Sequence, residues 1–264
     1  KSVLKVSTFE WGGKTLFWGE ALSPDQLPVD YFPTLMAIQI TIPALILFLA
    51  GIAVYWIRRE EYQLDPSLFL IIAFWFGLPL ASIVLLDPSI YDNFRHFLFI
   101  TPPIFLIGGL GIRFLLARLK MPLLQAALIL AVLFPGILGI ARLHPYQYIY
   151  YNELIGSVEG AFRSFETDYW YTSYVECIEY LNAAAPPSST VLVYGPAHIV
   201  ESYARKDLTV VAYKDKEAAY QLPASDFLII SSRGNKDLEI QPDADVLFRV
   251  ERAGAVLAEV RKLP

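Results

Sequence analysis

Four stretches of the chain run without an Asp, Glu or Lys: residues 35–57, 68–86, 97–116 and 123–141, each 19 to 23 residues long. At about 1.5 Å per residue, each reaches across a hydrocarbon core of roughly 30 Å, so the pattern predicts four transmembrane helices. Arg113 is the single charge inside them, within a turn of its segment's end, where a long side chain reaches the headgroups. Pro43, Pro79, Pro102, Pro103 and Pro135 fall within the segments. Prolines at that depth need neighbouring helices to satisfy the carbonyls they release, so kinked, packed helices are expected rather than a simple anchor.

Beyond Tyr169 the pattern changes to that of a globular domain. Trp170, Tyr174, Cys177, Ile178 and Leu181 recur at helical spacing and predict a helix over 171–184, stopped by Pro186 and Pro187. Short β-rich runs follow at 190–195, 208–213 and 226–231, with a helical pattern at 197–204 between the first two. Residues 246–252 and 255–262, separated by Ala253 and Gly254, read as a terminal hairpin. The predicted fold class is therefore an α-helical integral membrane protein of about four transmembrane helices followed by a small α/β extracytoplasmic domain. Its parts are an extracytoplasmic loop at 1–34, the transmembrane domain at 35–141, an interfacial aromatic segment at 142–169 and the soluble α/β domain at 170–264.

Composition sharpens this division. Mean hydropathy is +0.45, too apolar for an ordinary soluble domain. Residues 1–140 balance nine Lys/Arg against nine Asp/Glu, whereas residues 141–264 carry twelve against seventeen, so the net charge of −5 belongs to the second half. Basic residues in short loops mark the cytoplasmic side. Arg58 and Arg59 follow the first segment, and Arg113, Arg118 and Lys120 flank the turn between the third and fourth, while the loop 87–96 has only Arg95. That asymmetry places both basic turns inside, and residues 1–34, the loop 87–96 and everything after 141 outside. Glu60 and Glu61 dilute the first basic turn, although acidic residues weigh little in the rule. Cys177 is the only cysteine, so no internal disulfide is expected, and His96, His144 and His198 show no metal-ligand spacing. No cofactor motif is present. The chain opens in mid-pattern at Lys1, without initiator Met or signal peptide, and is expected to be the C-terminal part of a longer membrane protein.

Candidate chemistry lies at the edges of the apolar segments. Trp11, Phe17, Trp18, Tyr31 and Phe32 precede the first, as amphipathic rings at headgroup level do. "HPYQYIYYNELIG", 144–156, has four tyrosines in six residues, which suits an interfacial aromatic belt or a platform for a sugar or lipid headgroup. "FETDYW", 165–170, sets Glu166 and Asp168 two residues apart among aromatics, a way to hold sugar hydroxyls; equally, Thr167 or Asp168 would cap the next helix. "VYGPAH", 193–198, lacks the further glycines and basic residue of a nucleotide-binding turn, so neither nucleotide nor metal is expected in the domain. In "YDNFRHFLF", 91–99, Arg95 and His96 stand where an apolar segment begins. A guanidinium there either anchors the interface, paired with Asp92 or Asp87, or grips a lipid phosphate through its planar, permanently charged fork.

"FRHFLFITPPIFLIGGLG", 94–111, resembles the segment that opens a late transmembrane helix in polyprenyl-phosphate-dependent glycosyltransferases of the GT-C superfamily, in the protein-mannosyltransferase-like and aminoarabinose-transferase-like branches. "LPVDYFPTLMAIQITIPALILFLAGI", 27–52, resembles the outer loop and proline-containing span that precede it in bacterial members, and 144–182 is similar to the segment after their last span. The resemblance implies an enzyme that moves a sugar from a polyprenyl-phosphate carrier to a protein, lipid or glycan acceptor at the outer membrane face, with inversion. It implies donor-phosphate binding by Arg95 and His96, and makes Tyr31, Tyr91, Tyr148, Tyr151, Glu166 and Asp168 candidate sugar or headgroup contacts. The family's catalytic aspartate lies in a first outer loop, and no residue of this chain matches that motif. Expected partners are the lipid-linked donor, membrane lipids and the acceptor, with no nucleic acid. The competing class is a non-catalytic membrane protein or transporter fragment whose exported α/β domain binds a partner.

The charge asymmetry carries a direct test of orientation. Single cysteines replacing Arg59 and Lys120 should be shielded from an impermeant thiol reagent in intact cells, and one replacing Ser188 should label; labelling at Lys120 without Ser188 would invert the topology.

Overall fold

The computed structural model describes residues 12–86, 90–93 and 95–264, so Trp11 and Asp87 lie outside the described residues. Two compact units emerge. Leu22–Arg142 and Tyr150–Ser157 build the first; Leu16–Ala21, Leu143–Ile149 and Val158–Pro264 build the second. The aromatic stretch 142–169 is thereby divided between them.

Helices dominate the first unit: α1 (Tyr31–Gln39), α2 (Ile42–Arg58), α3 (Pro66–Leu86), α4 (Thr101–Leu116, continued backward by a 3-10 turn, Arg95–Ile100) and α5 (Pro122–Leu143). Among the described residues three helical segments are long and apolar enough to cross a membrane, Pro66–Ile83, Arg95–Leu116 and Pro122–Leu143. They become four if α1 and α2, bent by 110°, count as one. The sequence pattern at 35–57 suggests one helix, and the structure breaks it. Ile40 and Thr41 are extended, at ψ 143° and 139°, and Pro43 in the first turn of α2 has no N–H to donate back to the end of α1. The released carbonyls find a distant partner. Buried Asn152 donates its side-chain Nδ2 to Ala37 O at 2.7 Å and Ile40 O at 2.6 Å, and its backbone N–H to Ile38 O at 2.7 Å.

α2 and α4 cross at glycines. A Cβ on Gly51 would stand 1.9 Å from the Ile107 carbonyl oxygen, and one on Gly111 2.5 Å from that of Leu47. Small residues let backbones meet where lipid supplies no hydrophobic drive between helices. Arg113, in the last turn of α4, lies with its Cζ 4.7 Å from the centre of the Tyr62 ring, so the two basic turns that follow α2 and α4 occupy the same end of this pair. α3 and α5 instead turn large apolar side chains outward, among them Leu70, Phe74, Leu78, Leu130, Phe134 and Ile137. Such outward faces suit hydrocarbon surroundings and would be a liability in water.

Strands organise the second unit. A mixed five-stranded sheet runs β4-β3-β5-β7-β6, with β3 (Thr190–Val193), β4 (Thr209–Ala212), β5 (Phe227–Ser231), β6 (Val246–Arg252) and β7 (Ala255–Lys262). β3 pairs in parallel with β4 and β5, and β7 is antiparallel to β5 and β6. Parallel neighbours need crossovers, which α8 (Ala197–Tyr203) and α9 (Ala218–Gln221) supply. The predicted terminal hairpin is present, turning through Ala253 and Gly254 at φ 48° and 81°, the mirror-image turn that matches strand twist. Side chains alternate across the sheet: Leu192, Leu228 and Ile230 gather on one face with Leu263, while Val191, Val193 and Ile229 are buried on the other. Amphipathic α7 (Tyr174–Ala184) buries Cys177, Ile178 and Leu181 and lies against β5, β6 and β7. Short helix α6 (Ser157–Ala161) precedes it. A small hairpin, β1 (Thr15–Phe17) and β2 (Glu20–Leu22), which the apolar pattern does not announce, bridges through Phe17 to Phe165.

The α2–α4 crossing predicts a contrast between glycines. Gly51→Ala drives a methyl into backbone and should lower stability by about 1–3 kcal/mol. Gly77→Ala, where nothing lies within 4 Å of the added Cβ, should be neutral or stabilising by up to about 1 kcal/mol through helix propensity. Thermal midpoints of the two variants in detergent check the contrast; equal midpoints would refute the close crossing.

Candidate functional site

Two clusters contain the residues singled out from sequence, one in each unit. Tyr31, Tyr91, Arg95, His96 and Tyr151 belong to the first, and Tyr148, Glu166 and Asp168 to the second.

The first cluster is built by a chain reversal immediately before α4. Asp92 and Asn93 both adopt left-handed backbone, at φ 54° and 63°, a conformation that Asp and Asn tolerate better than other side-chain-bearing residues. Pro102 and Pro103 then favour a helix start, because the first turn has no use for their missing N–H groups. Between reversal and helix, the turn Arg95–Ile100 presents the guanidinium. Its Nη2 lies 3.1 Å from Asp92 Oδ2, with the Asp92 side chain 5% exposed and that of Arg95 25% exposed. Arg95 Nε donates to His96 Nε2 at 3.3 Å. Tyr91 completes the group, its ring centre 5.1 Å from Arg95 Cζ and 4.8 Å from the His96 ring. Tyr151, almost wholly buried, donates its hydroxyl to Asn93 Oδ1 at 3.4 Å and so supports the reversal from behind. Phe97, two residues after Arg95, packs edge-on against Phe32 of α1 at 5.0 Å. Tyr31, the first residue of α1, is buried.

Of the two ion-pair partners offered by the sequence for Arg95, Asp92 is in contact, and Asp87 lies outside the described residues. Asn93 was not singled out from sequence; the signal was the Asp-Asn dipeptide itself, two residues suited to left-handed backbone just ahead of a charge. Chemically, the arrangement holds one guanidinium in fixed orientation, partly exposed, beside two rings at the head of an apolar helix. That suits reception of an anion attached to an apolar body.

In the second cluster the carboxylates are consumed by the fold. Asp168 is fully buried and accepts from the hydroxyls of Tyr148 and Ser173 and from the backbone N–H groups of Thr172, at 3.1 Å, and Ser173, at 3.4 Å. It thus ties down the turn ahead of α7 and does not cap the helix itself, whose N-cap position is Ser173, so neither Thr167 nor Asp168 takes the capping role that its sequence position allowed. Burial pushes its carboxyl above the usual range, with the hydrogen bonds from Ser173 and Tyr148 opposing that rise. Burial, followed by the nearby Asp168 charge, raises the Tyr148 phenol as well. Glu166, also buried, accepts the backbone N–H of Leu16 at 3.0 Å and lies 3.9 Å from Arg233 Nε. Arg233 donates in turn to Tyr169 O at 2.8 Å. Trp170, half exposed, stands 4.9 Å from Tyr148 and 5.3 Å from Tyr169, so the accessible part of this cluster is aromatic rather than anionic. Among the described residues, no three His, Cys, Asp or Glu side chains converge as metal ligands would.

The raised Asp168 carboxyl has a signed consequence. Because its folded value exceeds the unfolded one of about 3.9, the folded state binds the proton more tightly. The associated stability is complete below the unfolded value and is lost as pH rises through the folded one. Asp168→Asn should therefore flatten the decline of thermal midpoint as pH rises above about 4 relative to the parent protein. Parallel profiles would show that burial does not govern this carboxyl.

No protein-family model, curated protein or solved structure matches this chain.

Proposed function

We propose that this chain is the C-terminal part of a membrane glycosyltransferase that uses a polyprenyl-phosphate-linked sugar at the outer membrane face, with Arg95 holding the donor phosphate. The observation that carries the reading is the Arg95 guanidinium, oriented by Asp92 at 3.1 Å and partly exposed at the first residue of the apolar segment Arg95–Leu116. A lipid phosphate joins an anion to a hydrocarbon chain, and this end of the segment offers a cation next to an apolar surface. Tyr91 and His96 pack beside the fork, next to where the sugar or headgroup of a phosphate held there would lie. The resemblance puts the catalytic aspartate in a motif that no residue of this chain matches, so the role proposed for the described residues is donor binding. The extracytoplasmic domain takes part in choice of a protein, lipid or glycan acceptor, with Trp170 and Tyr148 as its aromatic surface.

A second reading has one observation in its favour. The Asp92–Arg95 pair neutralises the guanidinium locally, as an interface anchor would require. In that case the chain is a non-catalytic membrane protein whose α/β domain binds a partner.

Arg95→Ala decides between them. As a phosphate ligand it contributes about 1.5–3 kcal/mol, so its loss should weaken donor dependence roughly ten- to a hundredfold. Arg95→Lys should restore only part of this, since an ammonium has charge without the planar fork. Transfer by the full-length enzyme at varied lipid donor, with inserted protein quantified in parallel, gives the answer. Unchanged donor dependence in a normally inserted Arg95→Ala variant would leave the anchor reading.

A further inference from the structure

We infer that Asp92 keeps the spent lipid phosphate from binding more tightly than the donor. The inference rests on the phosphate reading of Arg95. Glycosyl transfer breaks the bond between the anomeric carbon and the bridging phosphate oxygen. The carbon bonds to the acceptor oxygen, the acceptor proton leaves to a base, and the bond's electron pair stays on phosphate. A phosphodiester carrying one negative charge thus becomes a phosphomonoester, whose second ionisation near pH 6 gives it close to two. A lone guanidinium would grip that product more strongly than the donor, and the site would fill with product.

The structure places a counterweight at the guanidinium. Asp92 Oδ2 lies 3.1 Å from Arg95 Nη2, and the aspartate is almost completely buried, so water screens its charge poorly. The left-handed pair Asp92 and Asn93, backed by the Tyr151 hydroxyl, holds the carboxylate at this position. Any anion on the exposed part of the fork therefore meets a fixed negative charge close behind the positive one. The additional charge of the monoester gains from Arg95 about what it loses to Asp92. Hydrogen bonding to the exposed part of the guanidinium, alike for diester and monoester, then sets affinity, and the product keeps no charge advantage.

The test uses the whole protein in nanodiscs at pH 8, where a monoester is doubly charged, with decyl phosphate as the monoester probe and decyl methyl phosphate as the diester. In the parent protein the two should bind within about threefold of one another. Asp92→Asn keeps a residue suited to left-handed backbone and should shift the ratio roughly tenfold toward the monoester. A parent protein that already prefers the monoester tenfold overturns the inference, even if the variant does not fold. So does an Asp92→Asn variant with an unchanged ratio, or one that weakens both probes equally, which would make Asp92 only a support for the fork. Arg95→Ala separates the two levels: loss of both probes upholds the phosphate site whatever Asp92 does, and no loss of either removes the site and this inference with it.

Discussion

A helix broken inside apolar surroundings must have its freed carbonyls satisfied by protein, and in the first unit Asn152 does this. Its side chain reaches Ala37 O and Ile40 O, its backbone N–H reaches Ile38 O, and its own Oδ1 accepts from Leu154 N at 2.9 Å. One residue thereby ends α1, permits the 110° bend into α2, and ties down the segment Tyr150–Ser157. With Ile38, Ile40 and Asn152 buried, each carbonyl left unsatisfied there would cost about 2 kcal/mol or more. The bend depends on a residue more than a hundred positions away in sequence.

The same segment delivers Tyr151 to Asn93, so the reversal that carries Asp92 toward Arg95 is supported from the strand of chain that closes the helix break. Phe32 on α1 meets Phe97 on the turn bearing Arg95. The position of the guanidinium is thus not a local property of "YDNFRHFLF". It follows from three separate stretches, 31–40, 90–100 and 150–157, being held together.

In the second unit, buried polar groups are used for specification. Glu259 and Arg261 are both almost fully buried on β7, bonded to each other at 2.6 Å. Arg249, opposite Glu259 on β6, adds a third charge at 2.7 Å, and Arg261 also donates to Ile240 O and Gln241 O. A one-residue slip of this hairpin would strand these charges on the wrong face, so they set register more than they add stability. Asp168 serves similarly at the start of α7. Carboxylates that read from sequence as sugar contacts are here buried against backbone and side-chain partners of the same unit, which explains why residue type and aromatic neighbours alone do not identify a binding group.

What the sequence determined by itself were the features written in local periodicity. The long apolar helices α3, α4 and α5, the short β-rich runs that become β3 to β5, the helix ending before Pro186 and the hairpin turning at Ala253 and Gly254 all follow from local composition, period and turn chemistry, which act over a few residues. Tertiary structure alone decided where the first apolar stretch breaks, which carbonyls Asn152 satisfies, that Asp92 lies against Arg95, and that Asp168 and Glu166 are enclosed. Each of these is a hydrogen bond or ion pair between groups whose need is visible in sequence but whose partner is not. An unsatisfied carbonyl or a buried charge must find a partner, and only the packed chain determines which one lies within 3 Å.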